Sequence, residues 1–352
     1  MANFVNHGRI DEDGVFVVAE LSANHNHSLD VALESVRAAK KAGADAVKIQ
    51  TYTADTITID CDNQYFQIRQ GTVWDGTTLY KLYKDAFTPW EWHQAIKDEV
   101  CGLGMTFFST PFDNSAVDFL EGMDVPMYKI ASYEITDIPL IEYAASKGKP
   151  MIISSGIATR EEIREAVDAC RRSGSEDITL LKCTSDYPAK AEEANLSTMD
   201  DMRESFGVRV GISDHSLGPV VAVCAVARGA RVVEKHFILD RSKGGPDATF
   251  SMEPAEFRAM VDQVRIAETT IGKPTYFTTQ EPIGHRAFSR SLFAVEDIGE
   301  GETLTRRNVR SIRPGYGLSP SAMQELIGKK ASRSIPRGTP LSWDCVSQRS
   351  ES

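Results

Sequence analysis

The chain predicts an α/β fold: a (β/α)8 TIM barrel followed by a small β-rich domain. Three observations carry that expectation. Short β-branched runs alternate with helical stretches from residue 15 to about 271, nearly every run ends in polar side chains, and the composition changes after Gly272. Strand–helix alternation repeated eight times is the signature of a parallel barrel, with an open doubly wound sheet as the alternative.

The expected strands are 15–20, 46–50, 105–108, 127–130, 151–154, 178–182, 208–212 and 231–235. Helical patterns follow most of them, at 29–42, 115–122, 140–147, 160–172, 200–206, 219–228 and 254–271. The second strand is followed by a long insertion, 51–104, rich in aromatics (Tyr65, Phe66, Trp74, Tyr80, Tyr83) and holding a helix entered at Thr88-Pro89. Proline suits a first helical turn, where its missing N–H costs nothing. Packing of the insertion onto the barrel is its expected role, and lining a pocket the other.

After the barrel (1–272), residues 273–286 read as a linker with two prolines and few aliphatics. Residues 287–352 then carry short strands and turns, among them Gly299-Glu-Gly-Glu302 and Arg313-Pro-Gly-Tyr-Gly317, which punctuate a small β module.

Composition narrows the function. The 352 residues are 41% hydrophobic and 25% charged, as in an ordinary globular protein, and the net charge of -11 argues against a nucleic-acid binder. Cys61, Cys101, Cys170, Cys183, Cys224 and Cys345 are scattered with no CxxC pair, which suggests reduced thiols rather than a zinc knuckle or a disulfide framework. Residues 1–13 are polar and acidic, without the apolar core of a signal peptide, and no run approaches the roughly 20 apolar residues of a membrane span. A cytoplasmic protein is expected.

Reactive groups in a barrel sit at the C-terminal ends of its strands. Those ends here read Glu20 with Asn24 and His25; Lys48 and Gln50; Ser109-Thr110; Lys129 with Ser132 and Glu134; Ser154-Ser155-Gly156; Lys182 with Thr184-Ser185; Ser213 with Asp214-His215; and Glu234 with His236. Buried polar groups are costly unless paired, so a full ring of them implies a polar ligand. Lysines with small hydroxyls suit a phosphate or carboxylate, although each serine taken singly is as well explained as a turn or cap.

His215 and His236 follow consecutive strands, so a parallel sheet lets their imidazoles meet, flanked by Asp214 and Glu234. They are either a divalent-metal pair with open coordination positions or two separately hydrogen-bonded histidines at a polar rim; spacing leaves both open. Glu234 lies two residues before His236 and shares its face of an extended strand, which makes it the candidate general base, while Lys235 points the other way. The loop Gly244-Gly-Pro-Asp247 delivers Asp247 either to sugar hydroxyls or to a plain turn.

The motifs Ala19-Glu-Leu-Ser-Ala-Asn-His25, Lys48-Ile-Gln-Thr51, Phe108-Ser-Thr-Pro-Phe112, Lys129-Ile-Ala-Ser132, Cys183-Thr-Ser-Asp-Tyr-Pro188, Gly211-Ile-Ser-Asp-His215 and Glu234-Lys-His236 resemble the sialic acid synthase family. Arg290-Ser-Leu292 and Arg313-Pro-Gly-Tyr-Gly317 resemble that family's antifreeze-like SAF domain, so the likeness spans essentially the whole chain. Leu21-Ser22 stands where sialic-acid-forming members usually read Ile-Gly, and Tyr133 stands where they typically carry glycine. Those departures imply a different acetamido sugar, 2,4-diacetamido-2,4,6-trideoxy-L-altrose, with the sialic and legionaminic precursors as alternatives.

The resemblance implies condensation of phosphoenolpyruvate with the open-chain aldehyde of that sugar, releasing phosphate. It implies that His215 and His236 hold manganese or a similar divalent ion (magnesium or cobalt being alternatives), and that Glu234, Glu20 and Lys129 form the catalytic set. Lys48, Thr110, Lys129, Ser132, Ser154, Ser185 and Ser213 would hold phosphoenolpyruvate; Glu20, Glu134, Tyr187 and Asp247 would face the sugar. It further implies a domain-swapped homodimer in which Arg313 reaches an acetamido group of the partner's sugar. Two rival classes are a Schiff-base aldolase using Lys129 or Lys182, and a non-catalytic sugar-binding protein.

Overall fold

The computed structural model describes residues 5–6, 9–10, 14–69, 71–276, 284 and 286–347. Parts of the expected linker (277–283 and 285), most of 1–13 and the tail 348–352 lie outside the described residues. The chain separates into two compact units, Met1–Gly272 and Lys273–Ser352.

The first unit is a closed, all-parallel barrel of eight strands, so the open-sheet alternative falls. In chain order they are β1 (Phe16–Glu20), β2 (Ala46–Thr51), β3 (Thr106–Pro111), β4 (Tyr128–Ile130), β5 (Met151–Ser154), β6 (Ile178–Cys183), β7 (Arg209–Asp214) and β8 (Val232–His236). β8 pairs with both β7 and β1, which closes the ring. Several strands run one to three residues further than expected, so His236 is the last residue of β8 rather than a residue past it, whereas His215 does follow β7.

Period-two alternation builds the interior. Phe16, Val18, Ala46, Phe108, Met127, Ile152, Leu181 and Val232 form one apolar cluster inside the barrel. Two residues on from the uppermost of these come Glu20, Lys48, Thr110, Lys129, Ser154, Cys183 and Glu234, which therefore point the same way, toward the barrel mouth. Strand β7 contributes Gly211 to the apolar level and Ser213 to the polar one. The opposite faces (Val17, Ala19, Val47, Phe107, Ile153, Leu180, Val210, Val233) pack against the surrounding helices in the main core.

Those helices are α1 (Leu29–Lys41), α5 (Asn114–Gly122), α6 (Ile138–Ala145), α7 (Arg160–Arg172), α8 (Thr198–Phe206), α9 (Val220–Ala227) and α10 (Pro254–Ile271). Their starts follow local chemistry: Ser28 caps α1, Asp113 caps α5, and Thr159 with Glu162 forms a capping box on α7. The insertion after β2 holds α2 (Ala54–Ile57), α3 (Leu79–Ala86) and α4 (His93–Gly102). Thr88-Pro89 does not open an α-helix directly: Pro89 leads into a single 3-10 turn, Trp90–Trp92, and α4 begins only at His93.

The second unit has its own core, including Leu292, Ile298, Leu304, Val309, Leu326, Ile335 and Leu341. Two short antiparallel strands, β9 (Ser291–Ala294) and β10 (Val309–Ile312), and one turn of helix, α11 (Met323–Leu326), frame it. Among the described residues no helix is long and apolar enough to cross a membrane.

Candidate active site

The polar layer above the barrel core opens into a cavity of about 610 Å³. Lys48, Thr110, Lys129, Ser132, Glu134, Ser154, Tyr187, Ser213, His215, Glu234, His236 and Asp247 all line it, so most of the residues singled out from strand ends converge on one space. Glu20 and Ser185 lie immediately behind this lining: Glu20 meets Lys48 at 2.6 Å and Ser185 meets Ser132 at 2.8 Å. Arg313 is exposed in the second unit, just after β10.

At the floor four charged side chains interlock. Lys48 lies 2.6 Å from Glu20 and 3.7 Å from Glu234, and Lys129 lies 3.9 Å from the same oxygen of Glu234. All four are buried, with Glu20 and Lys129 each 1% exposed. Burial makes each charge costly alone, and alternation of sign lets the group persist. Burial opposes ionisation of Glu234, yet Lys129, Lys48 and the Ser213 hydroxyl outweigh it and hold the carboxyl below its ordinary range. Glu20 is driven the other way, upward, by burial and by facing Glu234. Two neighbouring carboxyls pushed apart in this manner can divide acid and base work between them. Glu234 Oε1 accepts from Ser213 at 3.1 Å, while its buried Oε2 has no protein partner and is free to take a proton from water.

Anion-binding groups flank this quartet. Lys48 donates to Thr110 (3.1 Å) and Lys129 to Ser154 (2.7 Å), and the Ser132–Ser185 hydroxyl pair lies beside Gly156. A Cβ on Gly156 would come within 2.0 Å of Ser185 Oγ, so glycine is required for the backbone to approach these hydroxyls. Burial pulls the Lys129 ammonium below its usual value; against the same burial, Glu20 and Glu234 keep Lys48 above its own.

The two histidines do meet, with ring centroids 5.3 Å apart. His215 Nδ1 lies 3.0 Å from the Thr184 carbonyl, so that nitrogen donates and Nε2 supplies the lone pair of the neutral ring. Burial lowers the pKa of this imidazole, but Cys183 and the Thr184 carbonyl outweigh it and hold it above its ordinary value. His236 Nδ1 is buried without a hydrogen-bond partner, 3.9 Å from Asp247 Oδ2, and burial beside His215 keeps its ring neutral. Among the described residues no three His, Cys, Asp or Glu side chains form a ready metal cage. The orphaned nitrogen, the free lone pair and the adjacent carboxylate fit a divalent ion that takes two histidines and leaves its other positions to water and substrate.

Some expectations are corrected. Asp214 does not flank the histidine pair: it turns outward, where Lys235 reaches it at 2.7 Å and also donates to the carbonyls of Ser216 and Gly218. That buried pair anchors the turn carrying His215. Lys182 faces away from the cavity and donates to the Cys183 carbonyl (2.7 Å) and Thr184 Oγ1, so it is no Schiff-base amine for this pocket. His25 is occupied by Thr88 Oγ1 and the His27 N–H, against the edge of Trp92.

The insertion also does more than pack. Trp74 and Tyr83 line the cavity, together with Tyr52, Ile57, Ile68, Leu79, Leu82 and Ala86. Trp74 donates to the Pro246 carbonyl at 2.8 Å, which ties the insertion to the loop bearing Asp247. Sequence reasoning also missed Phe250, whose ring lies 4.9 Å from His236 and 5.1 Å from Tyr187. It follows the glycine loop in a 3-10 turn and carries no periodic signal that would have marked it.

Comparison with known proteins places this geometry. The NeuB family profile matches residues 35–276 and the SAF domain profile residues 289–347. The chain is 47% identical to the pseudaminic acid synthase of Campylobacter jejuni, over 93% of this chain and 95% of that one. It is 37% identical to the N,N'-diacetyllegionaminic acid synthase of Legionella pneumophila, over 94% of each. Among solved structures, the N-acetylneuraminic acid synthetase of Leptospira borgpetersenii superposes with a TM-score of 0.69 at 30% identity, covering 77% of this chain and 90% of that one. The chain belongs to the NeuB family and carries that family's barrel with a SAF domain after it.

Proposed function

We propose that the protein is a cytoplasmic pseudaminic acid synthase, condensing phosphoenolpyruvate with 2,4-diacetamido-2,4,6-trideoxy-L-altrose to give pseudaminic acid and phosphate. The 47% identity to a protein of that name supports the choice of sugar. The observation that carries the chemistry is the buried Lys48–Glu20–Glu234–Lys129 quartet opening onto the His215–His236 pair in one cavity.

Lys48, Lys129, Thr110, Ser132, Ser154, Ser185 and Ser213 hold the phosphate and carboxylate of phosphoenolpyruvate. His215 and His236 would hold manganese or a similar divalent ion, which would supply Lewis-acid polarisation for the sugar aldehyde. C3 of phosphoenolpyruvate attacks the aldehyde carbon, the C2=C3 π pair forming the new C–C bond, and the former aldehyde oxygen takes a proton from solvent. The resulting cationic C2 is attacked by water, whose proton passes to Glu234. The tetrahedral centre then expels phosphate by C–O cleavage, the C2 hydroxyl proton leaving with the phosphate, and the ketone of the product remains; Glu234 returns its proton to solvent. The buried lysines offset the phosphate charge throughout. Glu134, Tyr187 and Asp247 face the sugar, with Arg313 reaching its acetamido group across a dimer interface.

Phosphate release from phosphoenolpyruvate tests the reading. We expect release with manganese and the altrose derivative, and none with the metal chelated or the sugar omitted. Release with N-acetylmannosamine or the legionaminic precursor in place of the altrose derivative would move the protein to another branch of the family.

Glu134 adds a pH signature. Burial pushes its carboxyl up to about 7, and its Oε2 is buried without a partner. Below that pH the group is neutral; above it the carboxylate accepts hydrogen bonds from sugar hydroxyl or amide groups. KM for the sugar is therefore expected to fall as pH rises from 6 to 8. Glu134→Gln should flatten that dependence and raise KM about tenfold, the loss of one charged hydrogen bond. A dependence that survives the substitution would assign it to another group.

A further inference from the structure

We propose that one face of α3, with Ile57 and Ile68, forms an apolar subsite that receives the deoxygenated C6 methyl of the sugar and selects it against a hydroxymethyl group. The inference rests on the sugar-condensing reading above. It assigns to the insertion the discrimination that the barrel floor does not supply.

Four cavity residues of α3, Leu79, Leu82, Tyr83 and Ala86, recur at the spacing i, i+3, i+4 and i+7. Such a stripe normally faces a packed core. Here it faces the cavity, and Leu79, Leu82 and Tyr83 stay only half-buried. Ile57 at the end of α2 and the buried Ile68 line the same cavity. Their backbone is fixed: Thr78 caps α3, the Leu79 N–H donates to the Phe66 carbonyl, and the Ile68 N–H donates to the Thr77 carbonyl.

Two of the polar groups nearby are already committed. Trp74 Nε1 donates to the Pro246 carbonyl, and Thr72 Oγ1 to Asp75 at 2.9 Å. A hydroxyl pressed onto Ile57, Ile68, Leu79 and Leu82 would lose its water and gain nothing, whereas a methyl gains burial. The direction of the sugar follows from the chemistry at its other end. Its aldehyde must lie at His215, His236 and Glu234, so its last carbon is the one left to reach the insertion.

The test compares turnover of the altrose derivative with that of its 6-hydroxy counterpart, for the unaltered protein, Leu82→Asn and Ile57→Asn. An apolar surface rejects an added hydroxyl by at most about a hundredfold, so a preference of ten- to a hundredfold in kcat/KM is expected for the 6-deoxy sugar. In either variant it should shrink to a few-fold, through a higher KM for the 6-deoxy sugar. Thermal melting and KM for phosphoenolpyruvate show whether the fold and the barrel floor are intact. Two substitutions on different helices guard against one of them unfolding its own turn. Turnover of the 6-deoxy sugar with no preference, or a preference unchanged in both folded variants, overturns the subsite and leaves the reaction standing. No phosphate release from the 6-deoxy sugar by the unaltered protein overturns the reaction itself, and the subsite with it.

Discussion

Glu234→Gln is expected to lower turnover by up to about ten-thousandfold while leaving the barrel folded. The substitution keeps the shape and the hydrogen-bonding reach of the side chain, so Ser213, 3.1 Å away, still has an oxygen to meet. What disappears is the negative charge standing 3.7 Å from Lys48 and 3.9 Å from Lys129. Removing a positioned general base alone lowers turnover by about a hundredfold to ten-thousandfold. Here the same change leaves two buried ammonium ions sharing Glu20, so Lys129, already pulled down by burial, loses the carboxylate that favours its charged form. Both effects act on kcat, and the loss should lie toward the upper end of that range. KM for phosphoenolpyruvate should rise far less, because a substrate phosphate replaces some of the missing negative charge. Single-turnover phosphate release measures the chemical step directly. A variant that keeps more than a tenth of the normal rate would remove Glu234 from the water-activating role and leave Glu20 as the candidate.

The ring of strand ends was legible because two periodicities suffice for it. Eight runs followed by helices specify a barrel, and alternation along each run puts Lys48 above Ala46, Lys129 above Met127 and Glu234 above Val232. The same rule turns Lys235 outward, as the structure finds. Legibility ended where a side chain's direction depends on a turn or on another segment. Nearness in sequence to His215 suggests that Asp214, the last residue of β7, flanks the two histidines, yet alternation puts it on Lys235's side of the sheet. The α3 stripe shows the second limit: periodicity says that a helix face is covered, but not whether by core or by ligand. Trp74 and Phe250 meet at the cavity, rings 6.4 Å apart, from segments far apart in the sequence, and no local pattern announces such a meeting.

Gly211→Ala is expected to push apart the two strands that bring the histidines together. At the apolar level of the barrel every other strand offers a side chain, and Gly211 lies between Leu181 on β6 and Val232 on β8. A Cβ there would stand 2.5 Å from the Val232 carbonyl oxygen, 2.7 Å from Leu181 Cδ2 and 2.9 Å from Val232 Cβ. Leu181 can turn aside, but the carbonyl belongs to the backbone of β8 and can move only with its strand. Overpacking of a closed core commonly costs 1–3 kcal/mol, and with a backbone atom as the obstacle about 3 kcal/mol or more is expected. Two residues above, the same displacement parts Ser213 from Glu234; further along the two strands it widens the gap between His215 and His236, now 5.3 Å between rings. Loss of stability and loss of manganese binding should therefore appear together, the first by thermal melting and the second by equilibrium dialysis of the metal. Adding Leu181→Ala relieves the side-chain clash alone and should restore only a minor part of either. Full recovery in that double variant would mean that the leucine, not the strand spacing, requires glycine at this position, and the coupling argued between the barrel core and the histidine pair would fail.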